Sequence, residues 1–323
     1  LNSLVLHFPY RLKHNTSQPM NNRILALLAA FAASAIYGAN HTIAKDLMPT
    51  VIQPFGFILL RVSGAALLFW VASLFLPREK IDRKDWLRFV ACALFGMAIN
   101  MLSFFKGLSL STPINSSVVI TLSPVLLLVL SAIFLKERVT LLKSIGIGLG
   151  LAGALLLILF GMKEQPNAPN IPLGNLLFVL NASSYSVYLI LVKPIANKYR
   201  PVTLMKWFFL FAVIINLPIG LSEFTQVEWT ALSLGSIWRM LFVIIGTTFL
   251  TYLFNIYALK ILSPSTIGAF MYLQPLLATL IAVLVGSDIL TTLRIFAAAL
   301  IFTGVYISSR KPKKRLQSNN IQH

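Results

Sequence analysis

The sequence predicts an all-α polytopic membrane protein of ten transmembrane helices, arranged as two inverted five-helix repeats. Three observations predict it. Apolar residues make up 57% of the chain, charged residues only 11%, and mean hydropathy is +0.82. Soluble domains carry about 25% charged residues, so a soluble fold does not cover this much apolar surface. Residues 112 to 157 and 263 to 308 match at a constant offset of 151, Pro113 falling on Pro264, Pro124 on Pro275, Glu137 on Asp288, Thr140 on Thr291 and Gly153 on Gly304. Lys and Arg crowd alternate loops, 21 of the 27 on one side and five on the other, the bias that marks the cytoplasmic face.

A helix needs about 20 apolar residues to cross a hydrocarbon core. Cutting the chain at charges, prolines and glycines yields ten such spans. The first, 24–44, carries Ser34, Tyr37, Gly38, His41 and Lys45 on one face. The second, 54–76, holds Arg61, the one formal charge well inside a span, and runs into Arg78, Lys80, Arg83, Lys84 and Arg88. The third, 88–106, aligns Gly96, Asn100, Ser103 and Gly107. The fourth, 114–135, has Pro124 at mid-span and ends on Lys136 and Arg138. Gly146, Gly150 and Gly153 space the fifth, 141–161. The stretch 162–171, rich in Pro and Asn, suits a surface loop. Asn181, Ser184, Tyr185 and Tyr188 share a face of the sixth span, 172–192, and Lys193, Lys198, Arg200 and Lys206 follow it. The seventh is 202–221. Thr247, Thr248, Thr251, Tyr252 and Asn255 gather on an arc of the eighth, 237–259. The ninth, 265–286, has Pro275 at mid-span after Gln274. The tenth, 289–309, precedes Arg310, Lys311, Lys313, Lys314 and Arg315.

The organisation expected is an N-terminal cytoplasmic tail 1–23, a first repeat 24–161, a periplasmic linker 162–171, a second repeat 172–309 and a basic cytoplasmic tail 310–323. Residues 1–19 precede Met20 and are assigned no function. The charge bias places both termini in the cytoplasm of a cell-membrane protein, the inner membrane where there are two. Five spans per repeat is odd, so the second repeat enters the membrane upside down. The net charge of +18 reads as a topology signal and headgroup anchor rather than a nucleic-acid surface.

Cys92 is the only cysteine, which excludes an intrachain disulfide and a cysteine metal cluster. No Gly-rich phosphate loop, HExxH or GxSxG is present, so neither enzyme activity nor a cofactor is expected.

Tyr37-Gly38-Ala39-Asn40 with Lys45, Leu122-Ser123-Pro124-Val125 followed by Phe134 to Thr140, and the glycine-spaced fifth span together resemble the EamA-like carriers of the drug/metabolite transporter superfamily. The likeness covers about residues 24 to 309. Asp288 stands where the second copy should have Glu, Ile289 where it should be basic, and Lys136 where the family often has Gly. Tyr37 also falls on Tyr185 and Lys45 on Lys193, at an offset of 148. The resemblance implies a carrier of a small metabolite, an amino acid or related amphipathic solute.

Polar side chains within spans face protein or a water-filled path. Tyr37, Asn100, Tyr185, Tyr188, Tyr252 and Asn255 are the candidate path residues. Gly96, Gly107, Ser34 and Ser103 fit helix packing better, since small residues let membrane helices approach. Two readings stand for Arg61, snorkelling to the outer surface or attracting an anionic group. Two also stand for His41, a hydrogen-bonded core residue or a titrating group. Pro124 and Pro275 are static kinks or paired gating elements. The expected function is export of a small metabolite by alternating access. A facilitated exchanger or uptake carrier is the alternative, and a receptor or sensor is disfavoured by the lack of a sizeable soluble domain. Its partners are the bilayer and the solute, and ten helices enclose a path within a monomer.

Overall fold

The computed structural model describes residues 20–45, 47, 51–110, 121–160, 170–284 and 292–310, and all regular structure among them is helical. The first half contains α1 (Met20–Lys45), α2 (Pro54–Leu74), α3 (Trp86–Ala93), a π-helical segment π1 (Leu94–Ile99), α4 (Asn100–Leu110), α5 (Ser123–Phe134) and α6 (Leu141–Phe160). The second contains α7 (Ile171–Ala196), α8 (Pro201–Thr225), α9 (Leu234–Leu241), π2 (Phe242–Leu250), α10 (Thr251–Ile261), α11 (Pro264–Met271), α12 (Leu273–Leu284) and α13 (Thr292–Ser309). Six described stretches are long and apolar enough to cross a membrane: Asn22–Asn40, Pro54–Leu74, Arg83–Gly107, Pro172–Ala196, Pro201–Thr225 and Leu234–Ile261. Leu67, Leu74, Ile133, Leu176 and Phe296 stand exposed on the outside, as they do where lipid replaces water. The chain is a multi-pass membrane protein.

Local sequence explains where the helices begin. Proline opens α2, α8 and α11, where its missing N–H costs no intrahelical bond. Asn170, Ser233 and Ser263 cap α7, α9 and α11 by accepting from backbone N–H groups. At the start of α2 the cap comes from another helix, because Glu223 Oε2 of α8 accepts from Phe55 N at 2.6 Å and Gly56 N at 2.9 Å. The mid-span prolines are also helix starts. Pro124 is the second residue of α5, and Pro275 the third of α12 after the chain turns at Tyr272. Each marks a break in its span rather than a bend in a continuous helix.

The packing pairs are reciprocal between the halves. α2 lies on α8 and α6 on α13; α1 packs on α10 and α12, while α7 packs on α4 and α5. Glycines allow the closest approach. A Cβ on Gly153 would lie 2.7 Å from Ala297 O, and one on Gly304 would lie 2.5 Å from Gly146 O. These two contacts exchange when residues are shifted by 151, so the α6–α13 seam is built twice from equivalent positions.

Candidate functional site

The π segments explain why the two halves match at two offsets. Trp86 and Leu234, which open α3 and α9, are 148 apart, whereas Asn100 and Thr251, which open α4 and α10, are 151 apart. π1 has six residues and π2 nine, so the extra three are absorbed as wider turns. Such turns disturb the regular ladder and are frequent at functional sites. Here hydroxyl groups serve the local carbonyls. Thr247 and Thr248 each donate to Val243 O at 2.7 Å, Thr251 donates to Thr247 O at 2.6 Å, and Ser184 of α7 donates to Phe95 O of π1 at 2.7 Å.

Tyr37, Tyr185 and Asn255 meet, with Ser34, Phe270 and Gln274, around a narrow cavity of about 10 Å³, room for about one water molecule. It lies where α1, α7, α10, α11 and α12 converge. Tyr188 and Tyr252 stand behind this wall: ring centroids are 5.8 Å apart from Tyr185 to Tyr188 and 6.5 Å from Tyr188 to Tyr252. Tyr252 also donates to Gly96 O at 3.4 Å. Arg61 is buried beside Tyr37 and Tyr252 and donates from Nε to Thr248 Oγ1 at 3.3 Å. Asn100 lies away from the cavity. It and Asn181 exchange side-chain-to-backbone bonds of 3.2 and 2.7 Å across the α4–α7 seam. Gly96 and Gly107 seat the rings of Tyr188 and Phe178 in the same seam. The side chain of His41 lies outside the described residues. Pro275 follows the cavity residue Gln274, and Pro124 meets Gly268 of α11. A larger cleft of about 670 Å³ between α1, α10 and the start of α8 is walled by Leu25, Leu28, Leu253 and Phe254; its walls are mainly apolar, whereas the smaller cavity gathers Tyr37, Tyr185, Asn255 and Gln274.

The Tyr188 hydroxyl is buried with no hydrogen-bond partner among the described residues. Removing such an unpaired group costs little stability. Tyr188→Phe is therefore expected to keep its thermal midpoint within about 2 °C or raise it. If the hydroxyl serves a solute, initial transport rates fall about tenfold, the worth of one hydrogen bond. A lowered midpoint with normal transport would reassign it to packing.

A model of the EamA-like transporter family matches residues 24–159 and again residues 172–310. The chain belongs to the EamA-like transporter family. An uncharacterized transporter of Archaeoglobus fulgidus is 26% identical over 288 residues, covering 89% of this chain and 98% of that protein. Uncharacterized transporters YyaM and YetK of Bacillus subtilis are 23% and 20% identical, covering 70% and 90% of this chain and 74% and 88% of their own lengths. A solved crystal structure with 20% identity superposes with a TM-score of 0.74, covering 88% of this chain and 97% of that one, a likeness of fold.

The EamA-like fold also assembles polar groups that lie far apart in the sequence. Glu137 Oε1 accepts from the Lys143 ammonium and from Ser265 Oγ at 2.5 Å, and Lys143 also donates to Ser263 Oγ at 3.0 Å. Nearby, the Lys193 ammonium donates to Leu259 O and, at 2.7 Å, to Leu262 O, closing the end of α10. Lys136 has φ of 52°, the left-handed conformation glycine adopts at helix ends. That geometry turns the chain so that Glu137 reaches α11. At another meeting of the halves, Lys198 pairs with Asp82 and, at 2.5 Å, with Asp85, which also accepts from Tyr199 Oη at 2.7 Å. Desolvation opposes the Lys198 charge, but hydrogen bonds to Asp82, Asp85 and Tyr199 overcome it and hold the pKa above the ordinary lysine value.

Proposed function

We propose that this EamA-like transporter is a secondary carrier that exports a small amphipathic metabolite, an amino acid or a related solute, across the cell membrane by alternating access. Its ten spans form two inverted repeats, 24–161 and 172–309, joined by the periplasmic linker 162–171. Both termini, including tails 1–23 and 310–323, lie in the cytoplasm. The observation that carries the reading is the cavity of Tyr37, Tyr185 and Asn255, which is built from both halves. Reciprocal helix pairing supports the inverted arrangement, because exchange of the two halves' conformations then opens the cavity to opposite sides in turn. Tyr188, Tyr252 and Arg61 belong to the same path, and His41 and Asn100 complete the candidate set. The breaks at Pro124 and Pro275 are the flexible points.

In this arrangement the Glu137–Lys143–Ser265 cluster closes the cytoplasmic end. The test uses proteoliposomes loaded with a defined metabolite mixture. Release of a subset of solutes only when the protein is present is the expected result. Release no faster than from protein-free vesicles, with folded and inserted protein, would overturn the carrier reading.

A further inference from the structure

Arg61 breaks the symmetry of the molecule. Pro54 and Pro201 open α2 and α8, helices that pack on each other, and at the same distance into α8 the residue is Phe208. The charge is therefore no requirement of the repeat. Arg61 is 7% exposed and about 10 Å along α2 from its first residue. Its guanidinium carbon is 5.9 Å from the Phe105 ring centroid, and the Tyr252 and Tyr37 phenols interact with its charge. Among the described residues no carboxylate pairs with it. Glu137 pairs with Lys143, Asp82 and Asp85 with Lys198, Glu223 caps α2, and Glu79 accepts from Arg200 N.

A buried cation without a counter-charge is costly, and within a membrane it marks a functional position. A guanidinium carries five N–H donors in a planar fork that matches a carboxylate. Tyr37 links it to the cavity, since that side chain both lines the cavity and lies beside Arg61. No described acidic residue lines the cavity to receive an ammonium group.

We propose that Arg61 is the anion-recognition residue of the transport path, and that the solute is an organic monocarboxylate without a positive charge of its own. The rings of Tyr37 and Tyr252 flank its apolar part. This rests on the carrier reading and narrows its substrate class to the related solutes that lack the ammonium group of an amino acid.

The experiment loads proteoliposomes with three matched series, 2-oxo acids, the corresponding amino acids, and the carboxamides of those amino acids, and follows release by mass spectrometry. Wild-type protein should release one or more 2-oxo acids at least tenfold faster than the matching amino acid or amide. Arg61→Gln should lower that rate about 100-fold, while Arg61→Lys retains part of it. Thr248→Val, which removes the acceptor of Arg61 Nε without touching the charge, should raise the half-saturation concentration severalfold. Release of amino acids or amides as fast as 2-oxo acids overturns the inference and leaves the carrier reading standing. Acid-selective release that Arg61→Gln leaves unchanged removes Arg61 from recognition. If Arg61→Gln does not fold, the wild-type series and Thr248→Val still decide. No protein-dependent release from any series overturns this inference, and release from the metabolite mixture then decides the carrier reading by itself.

Discussion

Gly304→Leu is expected to abolish recovery of folded, monodisperse protein. Even the first added carbon has no room: a Cβ at Gly304 lies 2.5 Å from Gly146 O and 2.6 Å from Gly150 N. Both neighbours are backbone, so relief requires α6 and α13 to move apart along the seam. Overpacking costs about 1–3 kcal/mol where side chains can adjust, and here none of the clashing atoms is a flexible side-chain tip. Gly304→Ala isolates the first carbon and should lower the thermal midpoint by several degrees, since about 1 kcal/mol is worth a few degrees in a domain of this size. The seam supplies its own control. Gly148 lies in the partner helix α6 with nothing within 4 Å of its would-be Cβ, so Gly148→Leu should change stability by less than about 0.5 kcal/mol. Size-exclusion profiles and thermal midpoints in detergent separate the cases. Native behaviour of Gly304→Leu equal to that of Gly148→Leu would show that the helices do not meet here.

Much of this architecture is visible in the sequence because membrane burial acts on composition. Long apolar runs and twice-occurring Pro and Gly landmarks survive without any knowledge of contacts. The family match and the helical course follow those signals, and Gly146, Gly150 and Gly153 sit in a seam where small residues are required. What the sequence hides is phase and distance. An α-helical wheel assumes a constant 3.6 residues per turn, but π1 and π2 interrupt spans three and eight. Even so, Gly96, Asn100 and Gly107 share one face as the wheel has them, and only the fold shows that this face packs on α7, where Asn100 bonds Asn181. The Arg61–Thr248 contact joins residues 187 apart, and Ser265 meets Glu137 across 128; no local pattern announces either. Lys136 is legible only in part. Its replacement of the usual Gly marks the position, but the left-handed turn appears only in the folded chain.

Glu137→Ala is expected to open the end of the cavity near α11 and to reduce transport at least tenfold. Glu137 and Lys143 are mostly buried, with side-chain exposures of 15% and 13%. Ser265 binds the same carboxylate oxygen, so one acidic group joins the α5–α6 turn of the first half to the start of α11 in the second. It also faces the Lys193 charge and lies at the positive end of α11, where a helix favours an anion. Removing the carboxylate leaves two ammonium groups without their shared counter-charge. Breaking a buried pair from one side costs about 3–5 kcal/mol, and partial exposure places this pair toward the lower end. Even about 1.4 kcal/mol would shift an open–closed equilibrium tenfold. Glu137→Gln retains a hydrogen-bond acceptor for Ser265 and should fall between wild type and Ala. The opening can be read directly with Gln274→Cys in a Cys92→Ser background, because Cys92 is the only native thiol and is fully buried. Glu137→Ala should raise the labelling rate of that cysteine by a cytoplasmic thiol reagent about tenfold while the size-exclusion profile stays native. An unchanged labelling rate with normal transport would show that the cluster only fastens the α5–α6 turn and takes no part in closing the path.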